Sequence, residues 1–428
     1  MAQSPPAEGY GRRVQSDVYR NGAIGRAPII PVSPARLAAA ATRKMSRRAA
    51  AYVVGSAGME TTARDNRVAF GRWKIVPRML RDVATRDLSI ELLGRRLPTP
   101  FLLSPIGVLE LVHPLADVAV AQAARDLAVP MMVSNQASLP MERIATEIGD
   151  GQHWFQLYWS SNDDLVASLV SRAEAAGATA IVVTLDTHML GWRPRDLDEA
   201  YLPFARGQGI AQYTSDPVFL DLVRKRAAAK SGGKRPAPTP AALATLASMS
   251  REYPGRLLDN LRSPLPRAAV ETFLDVFSRS SLTWRDLAFL RDHTDLPIVL
   301  KGIQHPDDAR SALDHGVDAV MVSNHGGRQI DGAIGALDAL PAVTRAVDGR
   351  VPVLFDSGVR GGADAFKALA LGASAVGVGR PWVYGLTLAG AQGAAAVMRN
   401  LVAELDLTMG LAGYTSVSEI SSEALQAV

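Results

Sequence analysis

The chain has 428 residues, of which 48% are hydrophobic and 21% charged, a balance that fits a folded globular protein and excludes a disordered or fibrous one. Its formal net charge is only +4, and its one dense basic run (Arg36, Arg43, Lys44, Arg47, Arg48) reads as a solvated helix face, so no nucleic-acid or membrane-surface partner is expected. It has no cysteine, which excludes disulfides, thiol nucleophiles, iron–sulfur clusters and thiolate zinc sites; no metal is expected.

The opening stretch MAQSPPAEGYGRR is polar, and no apolar run reaches the roughly 20 residues that span a bilayer, so a cytoplasmic chain without a transmembrane segment is expected. Residues 1–34 mix Pro, Gly and polar side chains without periodicity and predict an extended N-terminal arm. Ala35 to Ser56, dominated by Ala and Arg, predicts helix, and a short sheet segment is expected at Asp87–Leu93. From Phe101 onward, short apolar runs alternate with helix-length segments. The predicted strands are Phe101–Ser104, Met131–Ser134, Trp154–Tyr158, Ala180–Leu185, Pro297–Lys301, Ala319–Ser323, Pro352–Phe355 and Ala375–Val378. Helices such as Asp163–Ala176, Pro306–His315 and Gly362–Leu371 fall between them, as parallel crossovers require. Eight such units make an α/β protein, a (β/α)8 TIM barrel, with residues 35–428 as one domain.

More than a hundred residues separate the fourth strand from the fifth. Residues 190–266 are therefore read as a long insertion over the catalytic mouth, either a disordered surface insertion or, as its place on the catalytic face favours, a lid that excludes water, with the Lys- and Pro-rich Lys225–Pro240 as a linker inside it.

Active sites of such barrels lie at the C-terminal ends of the strands, and reactive residues gather there. The third strand ends Phe155-Gln156-Leu157-Tyr158, the fourth ends Thr184-Leu185-Asp186 and leads to Arg193, and the fifth ends in Lys301. The sixth runs into SNHGGRQ (323–329), where His325 and Arg328 set a titratable base beside a cation, with two glycines allowing the tight turn between them. A carboxylate such as Asp186 suits the orientation of that imidazole, although a strand-end Asp can equally cap a turn. Arg193 and Arg328 offer planar forks for a carboxylate. FDSGVRGG (355–362) and GVGRP (377–381) follow the last two strands and bring glycine-freed amides, a helix start, Arg360 and Arg380 to the usual phosphate corner, which predicts a phosphate-bearing cofactor. Lys301 reads either as a charge beside a flavin ring or as the partner of a structural carboxylate.

These motifs, with LKGI (300–303), TLDT (184–187), FQLY (155–158) and FDSGVRGGADAFKALALGA (355–373), resemble the FMN-dependent L-2-hydroxy-acid oxidising family, the glycolate oxidase and lactate oxidase group, over nearly the whole chain from about Ala51. Within it, AYVVGSAG (51–58), RDLSIELLG (86–94), LGWRPRDLD (190–198) and QYTSDPVF (212–219) are most similar to the lactate 2-monooxygenase branch.

The resemblance implies FMN as cofactor, His325 as base, Asp186 as its partner, Arg193 and Arg328 as carboxylate anchors, and Tyr52 and Tyr158 bonding the substrate carboxylate and hydroxyl. It implies flavin contacts from Pro105, Ile106, Gly107, Ser134, Gln156, Thr184, Lys301 and Ser323, and phosphate contacts from Asp356, Gly358, Arg360, Gly379 and Arg380. Leu109 and Met189 are further candidates for the pocket wall, and Gly107 leaves space beside the flavin. The implied reaction consumes a small L-2-hydroxy acid and O2. Lactate would yield acetate, CO2 and water if the keto acid stays trapped. The alternatives are an oxidase that releases keto acid and H2O2, including from a larger acid, and a non-enzymatic scaffold. A homo-oligomer, a tetramer or larger, is also implied.

Overall fold

The computed structural model describes residues 9–229 and 239–428. Eight parallel strands close a barrel: β1 (Phe101–Leu103), β2 (Met131–Val133), β3 (His153–Leu157), β4 (Ile181–Thr184), β5 (Ile298–Ile303), β6 (Ala319–Val322), β7 (Val353–Phe355) and β8 (Ala375–Val378). Neighbours in sequence are neighbours in the barrel, and β8 closes on β1 with Val378 opposite Leu103. All eight predicted strands are present, each within a residue or two of its expected bounds.

The period of two along each strand divides the barrel interior into layers. The lower inward positions are apolar and pack as one cluster containing Leu102, Met132, Trp154, Val182, Val299, Met321, Leu354 and Ala375, which Leu92 and Leu97 of a small hairpin help to close. That hairpin pairs Ile90–Leu92 with Arg95–Leu97, at the place where a short sheet segment was expected. Two residues further along each strand the same inward direction carries Ser104, Ser134, Gln156, Thr184, Lys301, Ser323, Asp356 and Gly377. The chemistry therefore sits directly on top of the apolar plug.

Around the barrel, two features differ from expectation. Residues Tyr10–Ala23, predicted to be extended, form a helix packed on the C-terminal helical segment Arg380–Ala412. Tertiary contacts hold it: the buried Asp406 carboxylate accepts the Gly11 amide at 2.8 Å and pairs with Arg86 at 2.7 Å. The single helix expected over 35–56 is two, Pro34–Lys44 and Arg47–Val54, because Ser46 turns outward to cap the second through the Ala49 amide.

The excursion between β4 and β5 is helical rather than loop-like among the described residues. Its longer helices are Pro217–Ala228, Pro240–Glu252 and Leu265–Val276. Asp216 caps the first of these through the Val218 and Phe219 amides and pairs with Arg172 of the helix Asp163–Ala175. Of the expected linker Lys225–Pro240, residues 225–228 end one helix and Pro240 opens the next, while residues 230–238 lie outside the described residues. No helix of the described residues is long and apolar enough to cross a membrane.

Candidate active site

A cavity opens at the C-terminal mouth of the barrel and gathers most of the predicted site residues. Tyr52, Pro105, Ile106, Gly107, Ser134, Gln156, Tyr158, Arg193, Lys301, His325, Arg328, Asp356, Gly358, Arg360, Gly379 and Arg380 all line it. Thr184 and Ser323 do not line it but bond to residues that do, Gln156 and Lys301. Leu109 and Met189 do not line it: Leu109 is buried in the core and Met189 points to solvent, while the neighbouring Leu190 takes the wall position.

His325 lies three residues past the end of β6. It adopts φ 56°, followed by Gly326 and Gly327 at 66° and 77°. The glycines hold this left-handed run freely, whereas the histidine stores roughly 1–3 kcal/mol of strain. The loop is clamped from below by a reciprocal amide pair, with Asn66 Nδ2 donating to Asn324 Oδ1 at 2.8 Å and Asn324 Nδ2 donating to Asn66 Oδ1 at 2.7 Å. His325 Nδ1 lies 2.8 Å from Asp186 Oδ1 and 3.2 Å from Thr187 Oγ1, and Thr187 Oγ1 also donates to Asp186 at 3.1 Å. An Nδ1–H held by the carboxylate leaves Nε2 as the unprotonated nitrogen, and no described residue bonds to it.

Electrostatics suit a base. Burial lowers the His325 pKa below its usual value, with Lys301 and Arg193 adding to that effect while Asp186 opposes it. Burial acts against the Asp186 charge, but His325, Lys301 and the bonds from His325 and Thr187 prevail and hold its pKa low. Desolvation raises the Tyr158 phenol, helped by Asp186, so it stays protonated as a donor.

The arginines divide into two groups. At one end, burial lowers Arg193 to about 10; its Nε donates to the Arg328 carbonyl at 3.1 Å and its Nη2 to Gln329 Oε1 at 2.7 Å. Arg328 stacks over the Tyr52 ring at 5.1 Å and gives Nη1 to the Tyr52 and Gly55 carbonyls. At the other end are Arg360 and Arg380, with burial lowering Arg380 to about 9. None of the four has an ion-pair partner among the described residues. Charges desolvated without a counter-ion call for anions from outside, one at each end.

Two phosphate-side expectations change in detail. Asp356 faces Lys301 at 3.3 Å and accepts Ser104 Oγ at 3.0 Å, so it belongs to the polar layer; a carboxylate beside a phosphate would repel it. Arg380 donates to the Val53, Gly55 and Gly326 carbonyls and to Ser56 Oγ, so it is chiefly a fixed charge with little donor capacity to spare.

FMN fits this donor set. Ser134, Gln156 and Thr184 form a hydrogen-bonded row (3.1 and 3.0 Å) that continues across β5 to Lys301 and Ser323 (2.7 Å), a polar floor for a flat ring with mixed donors and acceptors. Gly107 lies so close to Gln136 that a Cβ would fall 2.7 Å from its carbonyl oxygen, and Gly358, at φ 91°, would place one 2.5 Å from the Asn66 oxygen. Thr187, Gln329, Asn66, Ser104, Phe204 and Phe277 were not singled out from the sequence. Of these, Thr187 and Gln329 sit within TLDT and SNHGGRQ, and Ser104 ends the first predicted strand within LSPIGV (103–108).

Fold and site together define a β/α-barrel enzyme with a flavin-nucleotide site and a buried histidine–aspartate pair beside unpaired arginines. The family described as FMN-dependent dehydrogenase matches residues 41–427. An FMN-dependent alpha-hydroxy acid dehydrogenase of Penicillium citrinum is 41% identical over 97% of this chain and 95% of its own. An L-lactate oxidase of Lysinibacillus sphaericus is 40% identical over 96% of each chain. The crystal structure of mandelate oxidase with (S)-4-hydroxymandelic acid superposes with a TM-score of 0.76 at 35% identity, covering 93% of this chain and 99% of that one. The chain belongs to the FMN-dependent 2-hydroxy-acid oxidising family, and its cofactor is FMN.

Proposed function

We propose that the chain oxidises L-lactate with O2 and holds the keto acid until it is decarboxylated, giving acetate, CO2 and water. The observation that carries the oxidation is the His325–Asp186 pair at 2.8 Å beside the unpaired Arg193 and Arg328. In this reading the remaining N–H groups of the two arginines, with the Tyr52 hydroxyl, bind the substrate carboxylate, and Tyr158 bonds its hydroxyl. His325 Nε2 takes a proton from the substrate, and Asp186 stabilises the imidazolium that forms. Bound FMN supplies the acceptor for the two electrons that leave the substrate carbon. The residues named for the ring are Pro105, Ile106, Gly107, Ser134, Gln156, Thr184, Lys301 and Ser323; Gly358, Arg360, Gly379 and Arg380 hold the phosphate.

The L-lactate oxidase relatives support lactate as substrate. Trapping is supported by the way the excursion is pinned over the mouth. Gly209 N–H donates to Glu110 of the loop after β1 at 3.0 Å, and Gln329 reaches the Asp186 and Met189 carbonyls at 2.8 and 2.9 Å. A pinned cover keeps pyruvate beside the peroxide formed from O2, and the two balance as pyruvate plus H2O2 to acetate, CO2 and water. A second reading, an oxidase of a larger acid, is favoured by the 4-hydroxymandelate oxidase relative of Amycolatopsis orientalis, 37% identical over 86% of this chain. The test is aerobic turnover of a panel of 2-hydroxy acids with peroxide and CO2 both measured. CO2 matching the lactate consumed is expected; stoichiometric free peroxide would reject trapping.

A further inference from the structure

Phe204 and Phe277 stand far apart in the excursion, one in the short turn Pro203–Arg206 and the other just past the helix Leu265–Val276, yet both line the active-site cavity. A third ring joins them. Phe273, fully buried, lies 5.3 Å from Phe204 and stacks on Phe277 at 5.2 Å with 20° between planes. Tyr213 closes on Phe273 edge-on at 4.8 Å. Offset and edge-on rings at these separations hold each other in place, so the two outer rings form one rigid bracket.

The bracket is registered to the catalytic strand ends on both sides. The carbonyl of Val276, next to Phe277, accepts Ser160 Oγ at 2.7 Å and the Ser161 amide at 3.1 Å, two and three residues beyond Tyr158. Phe204 packs where Gly209 meets the loop after β1: a Cβ on Gly209 would lie 2.6 Å from Val108 Cγ2 and 3.3 Å from Phe204 Cε1. The cavity wall thus carries both polar anchors (Tyr52, Tyr158, Arg193, Arg328) and two fixed apolar faces.

We infer that Phe204 and Phe277 form the seat for the substrate's side chain, selecting 2-hydroxy acids with small apolar substituents and setting the upper size limit. This rests on the proposed function, because it presupposes a 2-hydroxy acid held by its carboxylate. Rings held by Phe273 cannot swing aside, so a bulky substituent must displace the bracket, while a polar one meets two apolar faces and loses its hydrogen bonds to water.

The experiment is anaerobic bleaching of the FMN-loaded enzyme, comparing L-lactate with L-mandelate in wild type, Phe277→Ala, Phe204→Ala and the more conservative Phe277→Leu, with retained flavin absorbance as the check on folding. The mandelate-to-lactate ratio of apparent second-order rate constants is expected to rise about tenfold or more in the alanine variants, and less but in the same direction in Phe277→Leu. If an alanine variant loses its flavin, the rise in Phe277→Leu carries the test. Equal changes for both acids in every flavin-retaining variant would overturn the inference while leaving the proposed function standing. Wild-type flavin that neither acid bleaches would overturn both.

Discussion

The strand ends and the excursion that covers them are built on different principles. At the strand ends each polar group is fixed by the barrel: Thr184 pairs in register with Lys301, Lys301 meets Ser323 and Asp356, and Asp186 holds His325. The excursion has no sheet to fix it and depends on helix packing, the Phe204–Phe273–Phe277 bracket and a few bonds to the strand-end loops. Reacting groups need sub-ångström placement, which a closed sheet provides. Selection and retention need a shaped apolar cover, which packed helices provide.

Removing the proposed base, His325, should give the largest effect. His325→Ala is expected to retain FMN while its anaerobic bleaching by L-lactate slows by roughly a hundred- to ten-thousand-fold, as read by stopped-flow absorbance. Next comes Asp186→Asn, with a loss of roughly a hundredfold. Because burial lowers the His325 pKa and Asp186 opposes that shift, the acid limb of the wild-type profile should lie below the ordinary histidine range. Removing the Asp186 charge should move that limb to still lower pH, since a lower pKa keeps the imidazole neutral further into acid. Arg193→Lys keeps the charge but loses the fork that also grips Arg328 and Gln329. The substrate concentration for half-maximal bleaching should rise about tenfold, with a smaller change in limiting rate.

The smallest effect tests the excursion's anchorage. Glu110 is half-buried, with its Oε2 enclosed and unpartnered, and desolvation, with Glu252 and Asp117 nearby, raises its pKa to about 8. A carboxyl raised on folding keeps its proton while the unfolded chain loses one, so its contribution to stability falls as pH rises from the unfolded value toward about 8. Glu110→Gln retains an acceptor for the Gly209 amide and cannot ionise. Its Tm relative to wild type is expected to increase between about pH 5 and about pH 9; a constant difference would show that the carboxyl does not titrate there.

The same contrast separates what the sequence reveals from what it hides. Barrel strands are legible because each is a short apolar run ending in a polar inward residue, and SNHGGRQ marks its own site. Tyr52 lies in an Ala-rich helix and stands out only through family resemblance. Thr187 was overshadowed by Asp186, although it contacts both members of the His–Asp pair. The helix Tyr10–Ala23 escaped because polar residues and preceding prolines conceal it, and its stability comes from Asp406, more than 380 residues away. Phe204 and Phe277 were invisible for a related reason: an aromatic residue in a helical excursion ordinarily packs, and only the fold shows that these two also reach the cavity.

The most direct test of this division of labour is the limiting rate of anaerobic flavin bleaching by L-lactate, compared between His325→Ala and Phe273→Leu. Phe273 lies behind the wall rather than on it, so Phe273→Leu is expected to bleach within about tenfold of the wild-type limiting rate while His325→Ala falls at least a hundredfold. Equal losses in the two variants, or a slower Phe273→Leu, would contradict the assignment of the chemistry to the strand ends.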